Sequence, residues 1–264
     1  MNSIEAIGRS VIDTAQHIVN VLGLFFQTIY WIIVGPFKRK FPKSQSIFEQ
    51  MVFIGVKSIA IVFFVALFTG IVIAMQSAYQ LAQLGATIYV AAMVSVSIAR
   101  ELGPVLTALV IAGRVGAAIT AELGTMKVSE QIEALETLAL NPIRFLVVPR
   151  FLALLLMLPC LTIFSDIVGI GGGYLVGVYN LGLDPHRYLN VSFDFLLWKD
   201  VWTGIVKSFT FAIIISMIGC YMGLNTRGGA EGVGKSTTVS VVTSFILIIL
   251  SDCILTGIFY FSSM

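Results

Sequence analysis

The 264-residue sequence is 58% hydrophobic and 11% charged, with a mean hydropathy of +0.97 and a net charge of +2 at neutral pH. Soluble domains carry roughly 25% charged residues, so this chain has too few charges to cover a water-facing surface. The small net charge gives no indication of a surface that binds nucleic acid. The composition therefore predicts an all-α, polytopic integral membrane protein.

The cysteines and histidines are few and scattered. Three cysteines lie far apart within apolar stretches, and only two histidines occur. Because there is no CxxC pattern and no Cys/His cluster, neither a disulfide framework nor a zinc site is predicted.

The first apolar stretch, residues 18–37, permits two interpretations. It is long enough to span a bilayer, but it contains Asn20 and Gln27 and follows an amphipathic opening. We favour a helix that lies in the membrane interface, with a spanning helix as the alternative. Residues 1–45 are accordingly assigned to an N-terminal interfacial or elbow region.

Five further segments are predicted to cross the membrane. A spanning helix needs about 20 apolar residues to cross a hydrocarbon core of roughly 30 Å. The segments that meet this requirement are residues 52–74, 89–118, 151–178, 201–224 and 239–261. In the third of them, Gly169, Gly173 and Gly177 recur every four residues, a spacing that lets helix backbones approach closely.

Basic residues predict the orientation. They are concentrated in alternate connections, at Lys38, Arg39, Lys40, Lys43, Lys127, Arg144, Arg150, Arg227 and Lys235. Five spans place all of these residues on one side of the membrane, which is the cytoplasmic side by the positive-inside rule. The C-terminus is then expected on the opposite side.

Charged residues also occur inside the predicted spans. They are Arg100, Glu101, Arg114, Asp166, Lys207 and Asp252. A charge at the bilayer centre costs roughly 2.5–3.5 kcal/mol on insertion scales, so each requires a partner or a wet cavity. Ion pairs that hold the helices together are one interpretation, and a path for protons or sodium ions is another. Pro104 follows Glu101 closely and frees a backbone carbonyl there.

The connection after the second span contains a short amphipathic pattern. Within Glu130–Leu140, the residues Ile132, Leu135 and Leu138 are spaced as one apolar side of a helix. Ser129 is the expected N-cap, and Asn141-Pro142 is the expected end. A helix resting on lipid headgroups is one interpretation, but its net negative charge favours a protein partner.

Residues 229–236 match the phosphate-binding pattern G-x-x-x-x-G-K-[ST]. That pattern binds nucleotide only between a buried strand and a helix, and here predicted membrane spans lie on both sides. The segment is therefore predicted to be a glycine-rich cytoplasmic turn.

Several blocks of the sequence resemble the MlaE/YrbE permease family. They are Ala99-Arg-Glu-Leu-Gly-Pro-Val-Leu-Thr-Ala-Leu, Ala112-Gly-Arg-Val-Gly-Ala-Ala-Ile-Thr-Ala-Glu-Leu-Gly-Thr-Met, Glu130-Gln-Ile-Glu-Ala-Leu, Asn141-Pro-Ile-Arg, Val148-Pro-Arg and Gly228-Gly-Ala-Glu-Gly-Val-Gly-Lys-Ser-Thr-Thr. The blocks are spread in order from about residue 50 to the C-terminus, whereas the first 45 residues diverge most.

The resemblance implies a permease domain over residues 46–264 in a multi-pass protein of the bacterial inner membrane. It implies the membrane subunit of an MCE-type ABC transporter that moves lipid between the inner and outer membranes. The expected partners are a second copy of the chain, a cytoplasmic ABC ATPase and a periplasmic MCE-domain protein. No cofactor is expected in this chain, because ATP would be bound and hydrolysed by the partner ATPase.

The resemblance also assigns roles to residues. Glu130–Leu140 is the expected coupling helix, with contacts to the ATPase through Glu130, Glu133, Leu135 and Glu136. The charged membrane positions of the family match Arg100, Glu101, Lys207 and Asp252. Arg114, which also lies within a predicted span, is added as a candidate member of the same charge network.

The resulting hypothesis is a non-catalytic subunit that moves phospholipid and helps to maintain the lipid asymmetry of the outer membrane. Gln76, Tyr79 and Leu84 are the candidates for contact with lipid tails. The alternative is an ion-coupled secondary transporter that uses Glu101, Lys207 and Asp252. An intramembrane enzyme is disfavoured, because the sequence has no His/Asp cluster and no serine with a base at helical spacing.

Overall fold

The computed structural model describes the backbone of residues 3–37 and 44–261 and the side chains of residues 16–35 and 44–259. Over these ranges the chain is predominantly helical, and no β-strand occurs in them. The predicted all-α class is confirmed. The basic cluster of Lys38, Arg39, Lys40 and Lys43 lies outside the described residues.

The described chain forms eleven α-helices joined by short connections. The helices are α1 (Ser3–Phe37), α2 (Ser44–Ile54), α3 (Ile59–Ala82), α4 (Val90–Ser97), α5 (Gly103–Ile111), α6 (Ala117–Val128), α7 (Gln131–Thr137), α8 (Val148–Leu175), α9 (Pro185–Phe195), α10 (Trp198–Leu224) and α11 (Gly229–Thr256). Five π-helical turns continue or precede these helices, at Ile98–Leu102, Ala112–Gly116, Ile143–Val147, Val176–Asn180 and Gly257–Phe261.

Six helical stretches are long and apolar enough to cross a membrane. They are Gln16–Gly35, Ser44–Ala82, Thr87–Val128, Ile143–Asn180, Trp198–Leu224 and Gly229–Phe259. Five of them coincide with the predicted spans and most extend beyond them, so the polytopic architecture is confirmed. The sixth belongs to α1 and contains most of residues 18–37, for which an interfacial position remains a prediction.

Helices α8 and α10 lie at the centre of the bundle. The α8 helix packs along α3, and α10 packs against α5, α6, α8 and α11. Their inward faces are fully buried at Leu154 and Leu158 of α8 and at Phe211 and Ile215 of α10. Burying such side chains contributes about 1.5–3 kcal/mol each in water. Within lipid that gain is absent, and close packing has to hold the helices together instead.

Glycines provide that close packing between α3 and α8. A Cβ at Gly172 would lie 2.5 Å from the carbonyl oxygen of Leu67, and one at Gly70 would overlap the backbone of Gly169. Further along α8, a Cβ at Gly173 would lie 2.5 Å from the side chain of Val94. The predicted small-residue stripe therefore lies in contacts within this chain, where any side chain would force the helices apart.

Two sequence predictions about loops are wrong. Residues 229–236 form the first turns of α11 rather than a turn, after Gly228 adopts a left-handed conformation with φ of 92°. The helix α10 precedes this segment, whereas a phosphate-binding loop follows a strand. The first span was also predicted to end at residue 74, which placed Gln76 and Tyr79 in the connection after it, whereas helix α3 continues to Ala82 and contains both residues.

Candidate functional site

A distortion in the second span positions its charged pair. Arg100 and Glu101 lie on the π-helical turn Ile98–Leu102, and α5 begins directly afterwards with Gly103 and Pro104. Pro104 has no N–H to donate to the carbonyl four residues earlier, which is that of Arg100. That carbonyl instead accepts a hydrogen bond from the Lys207 ammonium at 3.2 Å. The predicted free carbonyl is thus part of the site.

Lys207 is the centre of a charge cluster, which we define as Lys207, Glu101, Asp252 and Thr256. Its side chain is fully buried, and Nζ lies 2.5 Å from Glu101 Oε2 and 2.8 Å from Asp252 Oδ1. Nζ also donates to Thr256 Oγ1 at 2.8 Å, and that hydroxyl donates to Glu101 Oε1 at 3.1 Å. Two carboxylates from different helices therefore share one ammonium.

The charge cluster is open on one side. The side chains of Glu101 and Asp252 are 36% and 19% exposed, whereas that of Lys207 is completely covered. The neighbouring face of α11 is apolar, and its residues Val242, Ile246, Ile249, Leu250 and Ile254 are each more than half exposed, as is Ile258 on the π-helical turn that follows. Carboxylates within membrane-spanning helices almost always face a protein interior or a water-filled cavity rather than lipid.

A second ion pair joins the same turn to the start of α10. Arg100 Nε lies 2.7 Å from Asp200 Oδ1, and the Asp200 side chain is 1% exposed. Asp200 Oδ2 also accepts a hydrogen bond from the backbone N–H of Leu197 at 3.2 Å, which satisfies a free donor at the beginning of the helix. Sequence reasoning placed Asp200 in a connection and missed this role, although an acidic residue in the first helical turn was a usable signal.

Arg114 lies apart from the charge cluster. It donates to Ser58 Oγ at 2.5 Å and to the carbonyl oxygen of Phe53 at 3.3 Å, and its guanidinium lies over the Phe53 ring. Of the five predicted network residues, the structure thus brings Glu101, Lys207 and Asp252 together directly and connects Arg100 through its carbonyl. Thr256 belongs to the group but was missed, because a lone threonine in an apolar helix gives no signal in the sequence.

The residues proposed for contact with lipid tails lie on the outer surface of the chain. Gln76 and Tyr79 are three residues apart on the exposed side of α3, and Leu84 follows the end of that helix. Tyr79 is 74% exposed and Leu84 is 77% exposed. None of the hydrogen bonds or ion pairs that form the charge cluster involves these three residues.

The short helix α7 differs in detail from the one predicted. Glu130 precedes it in a left-handed conformation with φ of 59°, and it has no side-chain cap. Ser129, the predicted N-cap, instead donates back to the Thr125 carbonyl at 2.7 Å and belongs to the end of α6. Ile132 is buried, whereas Leu138 is 69% exposed, so these two residues do not share one apolar side as predicted.

The four predicted coupling residues have different environments. Glu130 and Glu136 are exposed, and Leu135 is half-buried. Glu133 forms an ion pair with Lys127 of α6. The hydrogen bond from that ammonium holds the pKa of the Glu133 carboxyl below its ordinary value. The exposed side of α7 is therefore acidic and ends in the apolar side chain of Leu138.

Lys207→Met tests whether the charge cluster stabilises the bundle. The substitution leaves Glu101 and Asp252 close together without the ammonium. Removing one partner of a buried ion pair destabilises a protein by about 3–5 kcal/mol, and partial exposure of the carboxylates favours the lower end. We expect a lower thermal-unfolding midpoint for the purified chain in detergent.

The triple variant E101Q/K207M/D252N removes all three charges and is expected to recover most of the lost stability. Lys235→Met, at an exposed lysine of α11, serves as the control and should leave the midpoint unchanged. A triple variant as unstable as Lys207→Met would contradict the role assigned to charge compensation.

Comparison with known proteins adds independent information. The profile of the permease MlaE family matches residues 47–258, which is more than half of the chain. A probable ABC transporter permease protein of Rickettsia felis is 41% identical over 98% of both chains. A probable ABC transporter permease protein of Synechocystis is 42% identical over 93% of this chain and 91% of its own length. The intermembrane phospholipid transport system permease protein MlaE of Haemophilus influenzae is 35% identical over 98% of both chains. The chain therefore belongs to the MlaE permease family.

Proposed function

We propose that the chain is the permease subunit of an ABC transporter that moves phospholipid between the inner and outer membranes of a bacterium and so helps to maintain outer-membrane lipid asymmetry. The name of the Haemophilus influenzae relative, an intermembrane phospholipid transport system permease protein, supports phospholipid as the cargo. The Rickettsia and Synechocystis relatives support an ABC transporter as the type of machine. The basic residues of alternate connections favour an inner-membrane protein with those connections in the cytoplasm.

The observation that carries the proposal is the partly exposed charge cluster at Lys207. Its carboxylates open to one side of the chain next to the apolar face of α11. Lipid alone would leave these charges in hydrocarbon, at a cost of roughly 2.5–3.5 kcal/mol for a charge at the bilayer centre. A second copy of the chain facing this side would enclose the carboxylates in a shared cavity. Such a cavity would have apolar walls and the exposed carboxylates of the charge cluster, a combination that suits an amphiphilic lipid.

The α11 face is the surface we assign to the second copy. In the most apolar part of this helix only 11% of the residues are buried within the chain, compared with 61% for α10. The exposed apolar residues on this face are Val242, Ile246, Ile249, Leu250 and Ile254, so their side chains would make the contact by interdigitation.

A native cysteine allows a direct test of this dimer. Cys253 is exposed on α11 next to Asp252, and Cys160 is exposed on α8. We expect a short bis-maleimide reagent to link two chains in membranes and Cys253→Ser to abolish the linked species. Cys160→Ser is the matched control and should retain it. Crosslinking that depends on Cys160 instead would assign the dimer contact to another face.

The exposed side of α7 is the proposed contact with the partner ATPase. Buried Ile132 and the Glu133–Lys127 ion pair hold this short helix against the rest of the chain. A movement of the cytoplasmic subunit bound to α7 would therefore also move α6. Hydrolysis of ATP is assigned to that subunit, and this chain acts as a non-catalytic component. An MCE-domain protein on the periplasmic side is proposed from the family resemblance alone.

Substitutions at two exposed residues test the coupling assignment. Glu136→Lys reverses a charge on α7, and Leu138→Asp places a charge on the apolar residue that directly follows this helix. Neither changes buried Ile132, so the fold should be retained. We expect each to reduce co-purification of the ATPase by about tenfold, since a contact worth about 1.4 kcal/mol is lost. Asp194→Lys, an exposed position of α9 outside the cytoplasmic connections, is the control. Undiminished co-purification of both variants would refute the assignment.

Transport by the reconstituted complex tests the function as a whole. We expect phospholipid transfer from proteoliposomes to an acceptor to require ATP and to persist when proton and sodium gradients are collapsed with ionophores. A two-state pump needs different lipid affinities in its two states, and the ATPase cycle would supply the difference.

The same assay decides the alternative of an ion-coupled secondary transporter, which the cluster of Glu101, Lys207 and Asp252 favours. Phospholipid transfer that ceases when the ionophores collapse the gradients, and that does not require ATP, would establish that alternative. The transport activity of E101Q/K207M/D252N distinguishes a structural role of the cluster from a role in carrying protons or ions, because neutral residues of similar size retain packing but cannot carry protons or ions.

A further inference from the structure

Two cations lie against the ring of Phe53, close to the point where the first membrane-crossing stretch changes from α2 to α3. The Lys57 ammonium is 5.7 Å from the centre of this ring, and the guanidinium carbon of Arg114 is 5.5 Å from it. Lys57 belongs to the short helical turn Val56–Ser58 that separates the two helices. Arg114 belongs to a π-helical turn of the second span, so the fold brings together two cations that are distant in sequence.

No carboxylate among the described residues pairs with either cation. None of the ion pairs found in that part of the chain includes Lys57 or Arg114. An aromatic face attracts a cation only weakly at an exposed site, and two neighbouring cations repel each other. An anion from outside the described chain would remove this repulsion.

Both cations keep hydrogen-bond donors that an outside ligand can reach. Lys57 is exposed, and its ammonium donates to no other described residue. In Arg114, Nη1 donates to Ser58 Oγ and to the Phe53 carbonyl oxygen, which fixes the direction of the guanidinium. The Nε and Nη2 atoms of Arg114 donate to no described residue, and neither atom is fully buried. These free donors are available to an anion that approaches the Phe53 ring.

A groove of about 440 Å³ extends along α2 from Gln45 to Lys57. Phe48 and Val52 form its apolar side and are 64% and 49% exposed. Glu49 also lines the groove, where its carboxylate accepts a hydrogen bond from the Gln45 amide at 3.0 Å. The groove therefore offers exposed hydrocarbon next to a cation, which suits a molecule that carries an anionic group on a hydrocarbon chain.

The length of α3 favours a position of this groove at the cytoplasmic edge of the membrane. The helix has 24 residues, and at 1.5 Å per residue it is about 36 Å long. A hydrocarbon core is roughly 30 Å thick, so α3 alone is long enough to cross it. Lys57 precedes α3 on the side that the basic residues assign to the cytoplasm. The phosphate groups of the cytoplasmic leaflet lie just outside the hydrocarbon on that side.

We propose that Lys57 and Arg114 bind the phosphate of an anionic phospholipid from the cytoplasmic leaflet, with an acyl chain along Phe48 and Val52. Arginine binds phosphate through the paired donors of its planar group, and lysine binds it as a point charge. Basic pockets between membrane helices on the cytoplasmic side bind anionic lipid headgroups in other proteins. Two cations against the single carboxylate of Glu49 leave a net positive charge, which favours an anionic over a zwitterionic lipid. The site shares no residue with the charge cluster or with α11, so the inference goes beyond the transport function and its test requires no transport.

Native mass spectrometry of the purified full chain in a neutral detergent tests the proposal. The chain is titrated with phosphatidylglycerol or with phosphatidylcholine of the same acyl chains, and the bound lipid is counted at each concentration. We expect phosphatidylglycerol to bind with the higher affinity and this preference to weaken as the salt concentration rises, because salt screens exposed charges. Equal affinity for the two lipids would overturn the assignment.

Two substitutions assign the binding to this pair of cations. Lys57→Gln removes one charge at an exposed position, so we expect the affinity for phosphatidylglycerol to fall about fivefold while that for phosphatidylcholine stays unchanged. Arg114→Lys keeps the charge but loses the paired donors, and it should also lower the affinity for phosphatidylglycerol. Unchanged affinity in both variants would refute the site.

Lys235→Gln removes an exposed lysine at the beginning of α11 and is the matched control for Lys57→Gln. Both variants lower the net charge of the chain by the same amount, and the control should bind phosphatidylglycerol as the wild-type chain does. An equal loss of affinity in the two variants would show attraction by net charge alone and would refute a defined site.

Two further comparisons identify the source of the anion. Glycerophosphate carries the phosphate without acyl chains, so we expect it not to displace phosphatidylglycerol at equal concentration. Displacement would show that the apolar side of the groove contributes nothing and would overturn the lipid assignment. The difference in bound phosphatidylglycerol between wild type and Lys57→Gln should persist in the assembled transporter. A difference that disappears on assembly would assign the two cations to an acidic group of a partner subunit and would equally overturn the proposal.

Discussion

The ammonium of Lys207 has to be compensated wherever the bundle holds it, because it is fully buried among helices in a segment that crosses the membrane. Four groups meet this requirement: the carboxylates of Glu101 and Asp252, the Thr256 hydroxyl and the Arg100 carbonyl. They come from the second and fifth predicted spans, whereas Lys207 belongs to the fourth. Satisfying one cation therefore fixes the relative positions of three helices.

Local backbone distortions make that arrangement possible. The π-helical turn at Ile98–Leu102 and the proline after it release a carbonyl that a regular helix would use internally. A regular helix would also present Arg100 and Glu101 differently. In the structure they serve separate partners, since Arg100 pairs with Asp200 whereas Glu101 pairs with Lys207. The same irregularity thus supports one ion pair toward the beginning of α10 and another deeper along it.

Close packing supplies what the hydrophobic effect cannot supply inside lipid. Gly70, Gly169 and Gly172 let α3 and α8 approach until backbone meets backbone. Asp166, on the same helix α8, has its Oδ1 atom against Gly103 of α5. One face of α8 is committed to packing, while Ile163, Ile167 and Ile170 line an apolar pocket of about 470 Å³ between α8, α9 and α10. The apolar face of α11 has no comparable partner among the described residues, which is the physical reason for assigning it to a second copy.

The sequence by itself determined the helical class, the five spans and the membrane positions of the charges, because hydrocarbon enforces long apolar helices and leaves each buried charge conspicuous. It also indicated a short helix after the second span. Only the tertiary structure decided which charges meet. Arg114 and Lys207 look alike in sequence, yet one contacts Ser58 and the other forms the charge cluster, because pairing depends on the rotation and depth of separate helices. Thr256 and Asp200 acquired roles in the same way, and the helical start of α11 overrode a glycine-rich pattern that had predicted a turn.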